Sequence, residues 1–276
     1  MPSKVGLIAG NRLLPLLFCN IYKRKFPHNQ IIACAVKGDT SWKINKLADK
    51  VVWLNIEEFY KLPSIFKEEG VKEILMLGQI TPFRLFREKN VLQNIYKFLP
   101  SIQDLRTDTI FKALVSFLEK EGIRVLDSRS FLEEILCPEG IFSKNVVSQR
   151  KKEDIDFGVK ILKVLTELDI SQTIVVKNKT VLSIEGFEGT DATLKRVGKI
   201  TRFSPGGVVI KIAGPTQDLR FDVPVVGVRT LMMMKKVRLD CLCLEAEKTF
   251  ILEKEKFIRI ANKFEISLIG IKLDNS

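Results

Sequence analysis

VGLIAGNRLLP, residues 5–15, places a short apolar run and a glycine ahead of LLPLLFCNIYKRKF (13–26), whose apolar residues recur at helical spacing. The stretch predicts a buried strand, a sharp turn at Gly10 and a helix. Glycine turns without a side-chain penalty, and the N–H groups that open such a helix are placed to meet an anion. The pattern continues outward through IIACAV (31–36), VVWL (51–54), a helix from about Ile56, KEILMLG (72–78) and IRVL (123–126). Short apolar strands alternating with helices predict a Rossmann-like, mostly parallel sheet with covering helices. A complete G-x-G-x-x-G is missing, so no dinucleotide is inferred. Ligands of open α/β sheets sit beyond the carboxyl ends of the strands, which makes Gly78, Gln79 and Thr81 of LGQITPF (77–83) candidate contacts. In LRTDTIF (105–111), Thr107 or Asp108 reads as a helix cap.

The pattern changes between 136 and 153, where Cys137-Pro138-Glu139-Gly140 precedes the polar SKNVVSQRKKED. That composition predicts a linker or hinge that moves during turnover. It divides the chain into an N-terminal α/β domain, 1–135, and a C-terminal mixed α/β domain, 136–276, with the substrate cleft expected between them. The second half opens with a helix near 152–168 and the hairpin TIVVKNKTVLSIEG (173–186), turning at Asn178 and Lys179. GVVIKIA and CLCLEA predict further strands; helices are predicted at 227–236 and near the end.

Length and a 46% hydrophobic content suit two folded domains with real cores. No window approaches the roughly 18–20 apolar residues of a membrane span, and the N-terminal run lacks the layout of a signal peptide. A cytoplasmic protein is expected. The five cysteines have neither disulfide-framework nor zinc spacing, and Cys241 and Cys243 share one side of a strand, as core residues do. His28 is the single histidine and no G-x-S-x-G elbow exists, which rules out histidine-rich metallophosphatase chemistry and disfavours a serine triad. The Met232–Met234 run and the apolar faces of LLPLLFCNIY and FKALVSFLEKEG read as packed helix, with one face allowed as an acyl chamber. A net charge of +12 attracts anions. Dispersed basic residues without a nucleic-acid motif argue against nucleic acid and leave phosphorylated substrate or an anionic membrane surface.

IEGFEGTDATLKR (184–196) and QDLRFDVP (217–224) carry the chemistry. Magnesium is held by one or two carboxylates together with substrate phosphate, and arginine clamps phosphate oxygens through paired hydrogen bonds. Glu185, Glu188, Asp191, Asp218 and Asp222 offer the carboxylates; Lys195, Arg196, Lys211 and Arg220 offer the cations. Thr190 or Asp191 starts a helix whose amides point towards phosphate. Both clusters leave strand ends and are expected to converge.

The IAG turn, the EGTDA box at Glu188–Ala192 and the run QDLR-x-D-x-P-x-x-G-x-x-T at Gln217–Thr230 occur in order along almost the whole chain. Together they resemble the LpxI family, UDP-2,3-diacylglucosamine pyrophosphatases of lipid A biosynthesis. Asn11 and Arg12 stand where the family commonly has further glycine, and Ala213-Gly214 where a basic residue and proline are usual. The resemblance implies hydrolysis of UDP-2,3-diacylglucosamine to lipid X and UMP, with attack at the sugar-bound phosphorus. It implies Asp218, Asp222, Arg220 and Lys211 as catalytic, and Asp218, Asp222, Glu188 and Asp191 as ligands of magnesium, with manganese as the substitute. Substrate contacts would be Gly10, Asn11, Leu14, Pro15, Gly78, Gln79, Thr81, Glu188, Gly189, Thr190, Asp191, Gln217 and Thr230. Peripheral contact with the anionic inner membrane and a homodimer are further expectations. The competing reading is a non-catalytic nucleotide-sugar or phospholipid binding module.

Overall fold

The structure, a computed structural model, describes residues 3–80, 107–214 and 217–273. Two compact units divide the chain, one running through Leu132 and including Asp218–Asp222, the other comprising Glu133–Gln217 and the chain from Val223.

In the first unit β1 (Lys4–Ala9), β2 (Gln30–Val36), β3 (Lys50–Leu54), β4 (Glu73–Leu77) and β5 (Arg124–Val125) form one sheet in the order β3-β2-β1-β4-β5. Every pairing is parallel, with Ala9 opposite both Ala35 and Leu77. β1 and β2 are buried almost throughout, the expected state of parallel strands covered on both faces. Their cover includes α2 (Leu62–Glu68) and α3 (Thr107–Lys120), and α1 (Leu14–Lys25), with its buried apolar residues, follows β1. Leu62, Phe66, Leu114, Val115 and Leu118 pack with Ile32, Ile74 and Met76 in one apolar cluster. The helix expected from Ile56 begins as a 3₁₀ turn, Ile56–Lys61, closed by reciprocal bonds between Asn55 and Glu58, before α2 continues it.

The second unit holds a mixed sheet of six strands: β6 (Gly140–Ile141), β7 (Thr173–Lys177), β8 (Thr180–Ile184), β9 (Val208–Lys211), β11 (Cys241–Glu245) and β13 (Ser267–Ile271). Their order is β6-β13-β11-β9-β7-β8. β9, β11 and β13 run parallel, whereas β6 and β7 pair antiparallel with their neighbours. A short parallel pair, β10 (Val225–Val226) with β12 (Phe250–Ile251), stands apart. Cys241 and Cys243 face one side of β11 with Val208 and Ile210, while Leu242 and Leu244 face the other, the alternation expected from the sequence. All five cysteines are buried and free, and burial pushes the thiols of Cys19, Cys34, Cys137 and Cys241 up to about 12. The helices are α4 (Gln149–Glu167), α5 (Thr190–Thr201), α6 (Val228–Lys236) and α7 (Lys254–Lys263). The fold is thus two α/β domains, the first Rossmann-like and parallel, the second mixed. Among the described residues no helix is long and apolar enough to cross a membrane.

The expected linker is corrected by this sheet. Cys137 N–H donates to Thr249 O and its carbonyl accepts from Glu247, Gly140 pairs with Gly270 as part of β6, and Ser143 Oγ accepts from Leu268 N–H. A proline-glycine stretch with polar neighbours is also the composition of a blunted sheet edge, and here the ladder bonds decide for the edge. Ser148 then caps α4 by accepting from Lys151 N–H.

The β7–β8 hairpin turns at Asn178 (φ 53°) and Lys179 (φ 55°), left-handed at both central positions as tight hairpins require. Asp154 of α4, buried, accepts the turn's two amides: Asn178 N–H at 3.0 Å and Lys179 N–H at 2.7 Å. Asp154→Ala is expected to cost about 1–3 kcal/mol in urea unfolding, because two part-buried turn amides lose a charged, buried acceptor. Lys179→Gly is expected to gain about 0.5–1 kcal/mol by relieving the left-handed strain. A destabilised Lys179→Gly would show that the lysine side chain, not the backbone conformation, matters at the turn.

Candidate active site

In the first unit the strand order reverses at β1, so the crevice beyond the carboxyl ends of β1 and β4 is a topological switch point, the usual ligand position of open α/β sheets. The turns after these two strands touch through backbone. Gly10 N–H donates to Leu77 O at 2.8 Å and Asn11 N–H to Gln79 O at 2.7 Å. A Cβ on Gly10 would lie 2.7 Å from Gln79 O, and one on Gly78 (φ 86°) would lie 2.5 Å from Asn11 O. Leu14 and Pro15 are buried in the first turn of α1, with proline where a missing N–H costs nothing. Leu13 contributes no side-chain cap there. Arg12 holds a left-handed φ of 68°, which explains why glycine would be at ease at this position. Gly10, Asn11, Leu14, Pro15, Gly78 and Gln79 therefore share one edge; Thr81 lies outside the described residues.

The segment Asp218–Asp222 also belongs to this first unit, although the sequence reading groups it with the C-terminal half. Ser128, buried after β5, holds it: Ser128 N–H donates to Leu219 O at 2.9 Å, and Ser128 Oγ lies 2.7 Å from Arg220 O and 3.0 Å from Met76 O. Phe221 stacks on Phe111 of α3 at 5.4 Å. Arg220 turns back on Asp218, with Nη2 to Oδ2 at 2.7 Å and Nε to Oδ1 at 3.0 Å, and its Nη1 meets Glu119 at 3.0 Å. Burial works to raise the Asp218 carboxyl, but the Arg220 side chain and backbone N–H hold it below the usual carboxylate range. The same pair raises Arg220. Asp222 is exposed, its N–H on Asp218 O at 2.9 Å.

In the second unit the carboxyl ends of β8, β9 and β11 and the start of β7 lie at one edge. There Lys211, the last residue of β9, buries its ammonium. Nζ lies 3.0 Å from Thr173 Oγ1, 3.5 Å from Thr190 Oγ1 and 3.6 Å from Glu185 Oε2. Thr190 Oγ1 in turn donates to Glu185 Oε1 at 2.8 Å. Gly189 precedes α5 at φ 83°, a conformation that spares the chain a Cβ penalty and sets Thr190 at the helix start. Glu188 pairs with Arg196, and its carboxyl is lowered first by its own backbone N–H, with burial acting the other way and Arg196 lowering it further. Asp191 pairs with Arg229 at 2.7 Å, tying the first turn of α5 to that of α6, where Thr230 sits. Gln217 accepts Gly214 N–H at 2.9 Å. Lys195 is exposed on α5.

The structure thus gathers Gly10, Asn11, Gly78 and Gln79 at one edge, Asp218, Arg220 and Asp222 on one strap, and Lys211 with Glu188–Asp191 at another edge. Among the described residues no group of three or more His, Cys, Asp and Glu could hold a metal ion. The Asp218/Asp222 and Glu188/Asp191 pairs match in residue type the one or two carboxylates that magnesium uses beside phosphate, with Asp218, Glu188 and Asp191 each lying against an arginine. Sequence reasoning missed Ser128, Phe111 and Glu119 as holders of the strap and Thr173 as a partner of Lys211, since nothing local marks contacts made so far along the chain.

Residues 4–135 match the LpxI N-terminal domain and residues 138–269 the LpxI C-terminal domain. The UDP-2,3-diacylglucosamine pyrophosphatase LpxI of Caulobacter vibrioides is 27% identical over 280 residues, covering 97% of each chain. Among solved structures, phosphoribosylglycinamide synthetase from Anaerococcus prevotii is 14% identical with a TM-score of 0.26, over 67% of this chain and 39% of that one. Glycinamide-RNase-transformylase T from Mycobacterium tuberculosis gives 13% and 0.22, over 64% and 42%. Scores that low leave the fold to be argued from the sheet topology itself. The two domain matches follow one another along nearly the whole chain, with the EGTDA box and the QDLRFD run both inside the second, and the chain belongs to the LpxI family.

Proposed function

We propose that the protein hydrolyses the diphosphate of UDP-2,3-diacylglucosamine, releasing lipid X and UMP in lipid A biosynthesis. The observation that carries the reading is the correspondence along 97% of both chains with the Caulobacter pyrophosphatase, with the charged boxes intact. In this reading Gly10, Asn11 and the amides opening α1 take the nucleotide side, close enough to backbone to admit phosphate oxygens. Lys211 and the first amides of α5 receive diphosphate charge, and both act without solvent reorganisation because they are held beforehand. Water attacks the sugar-bound phosphorus, the bond from that phosphorus to the bridging oxygen breaks, and UMP leaves with the bridging oxygen. Asp222, exposed on a strap fixed by Ser128 and Arg220, is the carboxylate we assign to orient the water. Magnesium, or manganese in its place, would be held by a pair of carboxylates, Asp218 with Asp222 or Glu188 with Asp191, beside substrate phosphate, and would supply neutralisation of phosphoryl charge. A cytoplasmic location, peripheral contact with the anionic inner membrane and a homodimer complete the reading.

Incubation in ¹⁸O-water is expected to place the label in lipid X and not in UMP; label in UMP would sink the assigned point of attack. Turnover is expected to fall with chelator and return with magnesium. Asp222→Ala and Lys211→Met are each expected to lower kcat by about 10²–10³, while bound substrate is retained. Substrate that binds to the unaltered protein without any release of UMP would establish the non-catalytic module instead.

Asp218 separates holding from chemistry. Its carboxyl is lowered in the folded state, so its stabilisation is complete above the ordinary carboxylate range and is lost as pH falls below it. Asp218→Asn is expected to cost about 1–2 kcal/mol at pH 7, with the gap to the unaltered protein closing towards pH 3 in a series of urea melts. A gap that persists unchanged to pH 3 would show that the Asp218–Arg220 pair does not stabilise the strap.

A further inference from the structure

Both tryptophans of the chain stand at one place on the first unit. Trp42 opens the 3₁₀ turn Trp42–Lys46, and Trp53 lies in β3, the edge strand of the sheet. Their rings lie tilted at 33° to one another with centroids 4.2 Å apart, yet Trp42 is 73% exposed. The arrangement is built. Asn45 donates from Nδ2 to Trp42 O at 3.1 Å and accepts Trp53 Nε1–H at 3.2 Å, while Ile44 anchors the turn in the core. Asn45 thus fixes the Trp42 backbone and the Trp53 indole together, and the Trp42 ring is left outward beside them.

Indole has an apolar body and a polar edge and settles at the lipid–water boundary. The same turn presents Lys43 and Lys46, both exposed and without an ion-pair partner among the described residues. Acidic side chains nearby in sequence or on the same edge strand are engaged: Asp49 by Lys23 and the Ile31 N–H, Glu69 by Lys50. Cationic side chains beside exposed tryptophan suit an anionic bilayer, towards which a chain of net charge +12 is already drawn. The inference rests on the function proposed above, since a substrate with two acyl chains resides in a bilayer. We infer that Trp42 and Trp53, flanked by Lys43 and Lys46, form the surface by which the protein docks on anionic lipid.

Because these are the only tryptophans, intrinsic emission reports on this surface without a label. Titration with phosphatidylcholine vesicles containing phosphatidylglycerol is expected to shift the emission to the blue, and brominated acyl chains are expected to quench it. Trp42→Ala is expected to weaken vesicle partitioning about tenfold, and Lys43→Glu with Lys46→Glu by at least about tenfold. Melting temperature, and turnover of detergent-dispersed substrate by Trp42→Ala, should both stay unchanged. Vesicle binding with unaltered emission, or undiminished in these variants, would overturn the proposal, as would an absence of vesicle binding. Emission that responds to UMP but not to vesicles would make the surface a nucleotide contact and overturn it equally. Failure to release UMP from dispersed substrate tells against the proposed activity alone, since the vesicle measurements do not depend on turnover.

Discussion

The turns that follow β1 and β4 touch backbone to backbone, and the first unit is arranged around that approach. Gly10 donates to Leu77 O at 2.8 Å, and neither Gly10 nor Gly78 has room for a Cβ. Two parallel strands can bring their ends this close only if the residues leaving them carry no side chains at the contact. Proximity then places Asn11, Gln79 and the start of α1 at one switch point, where helix amides and bare backbone meet. A wider approach would leave room for side chains at this switch point.

The second unit meets a different constraint, the burial of an ammonium. Desolvating Lys211 is costly unless the cation finds compensation, and the strand ends supply it with Thr173, Thr190 and Glu185. Only the Thr173 contact is a full hydrogen bond at 3.0 Å; the other two are at 3.5 and 3.6 Å. An ammonium held in place but loosely satisfied retains donors for an incoming anion. Thr190 joins the two roles, because it starts α5 and also ties Glu185 through a 2.8 Å bond. The cation and the helix amides are therefore positioned by the same residue.

Much of this was legible in the sequence where the deciding interactions are local. VGLIA and IIACAV read as parallel strands because burial on both faces removes polar alternation, and Asn178-Lys179 reads as a turn because the left-handed region favours asparagine. The misreadings arise where contact is distant. Cys137–Gly140 has the composition of a linker, and only its bonds to residues near 249 and 270 make it a sheet edge. The strap at Asp218–Asp222 looks like a continuation of the second domain, yet Ser128 captures it from 92 positions away. No periodicity encodes such a capture. The two charged boxes were found by residue type, but type alone did not say that Asp218, Glu188 and Asp191 each lie against an arginine.

Those arginine pairs alter how the acidic boxes are understood. Asp127-Ser128-Arg129 repeats the geometry of Asp218-Leu219-Arg220: in both turns the arginine N–H and Nε approach Oδ1, at 2.8 and 3.0 Å in the first and 3.0 and 3.0 Å in the second. In both, Nη2 meets Oδ2 at 2.7 Å. Two identical turns joined through Ser128 give a rigid clasp, since each carboxylate fixes the backbone and the side chain of its own arginine at once. An arginine so engaged is a poor first clamp for a diphosphate, because its donors must be exchanged before they can serve. Lys211 is already placed and incompletely satisfied. In the proposed reaction the charge that meets substrate first would then be the buried lysine, and Arg220 would serve by holding the strap that carries Asp222.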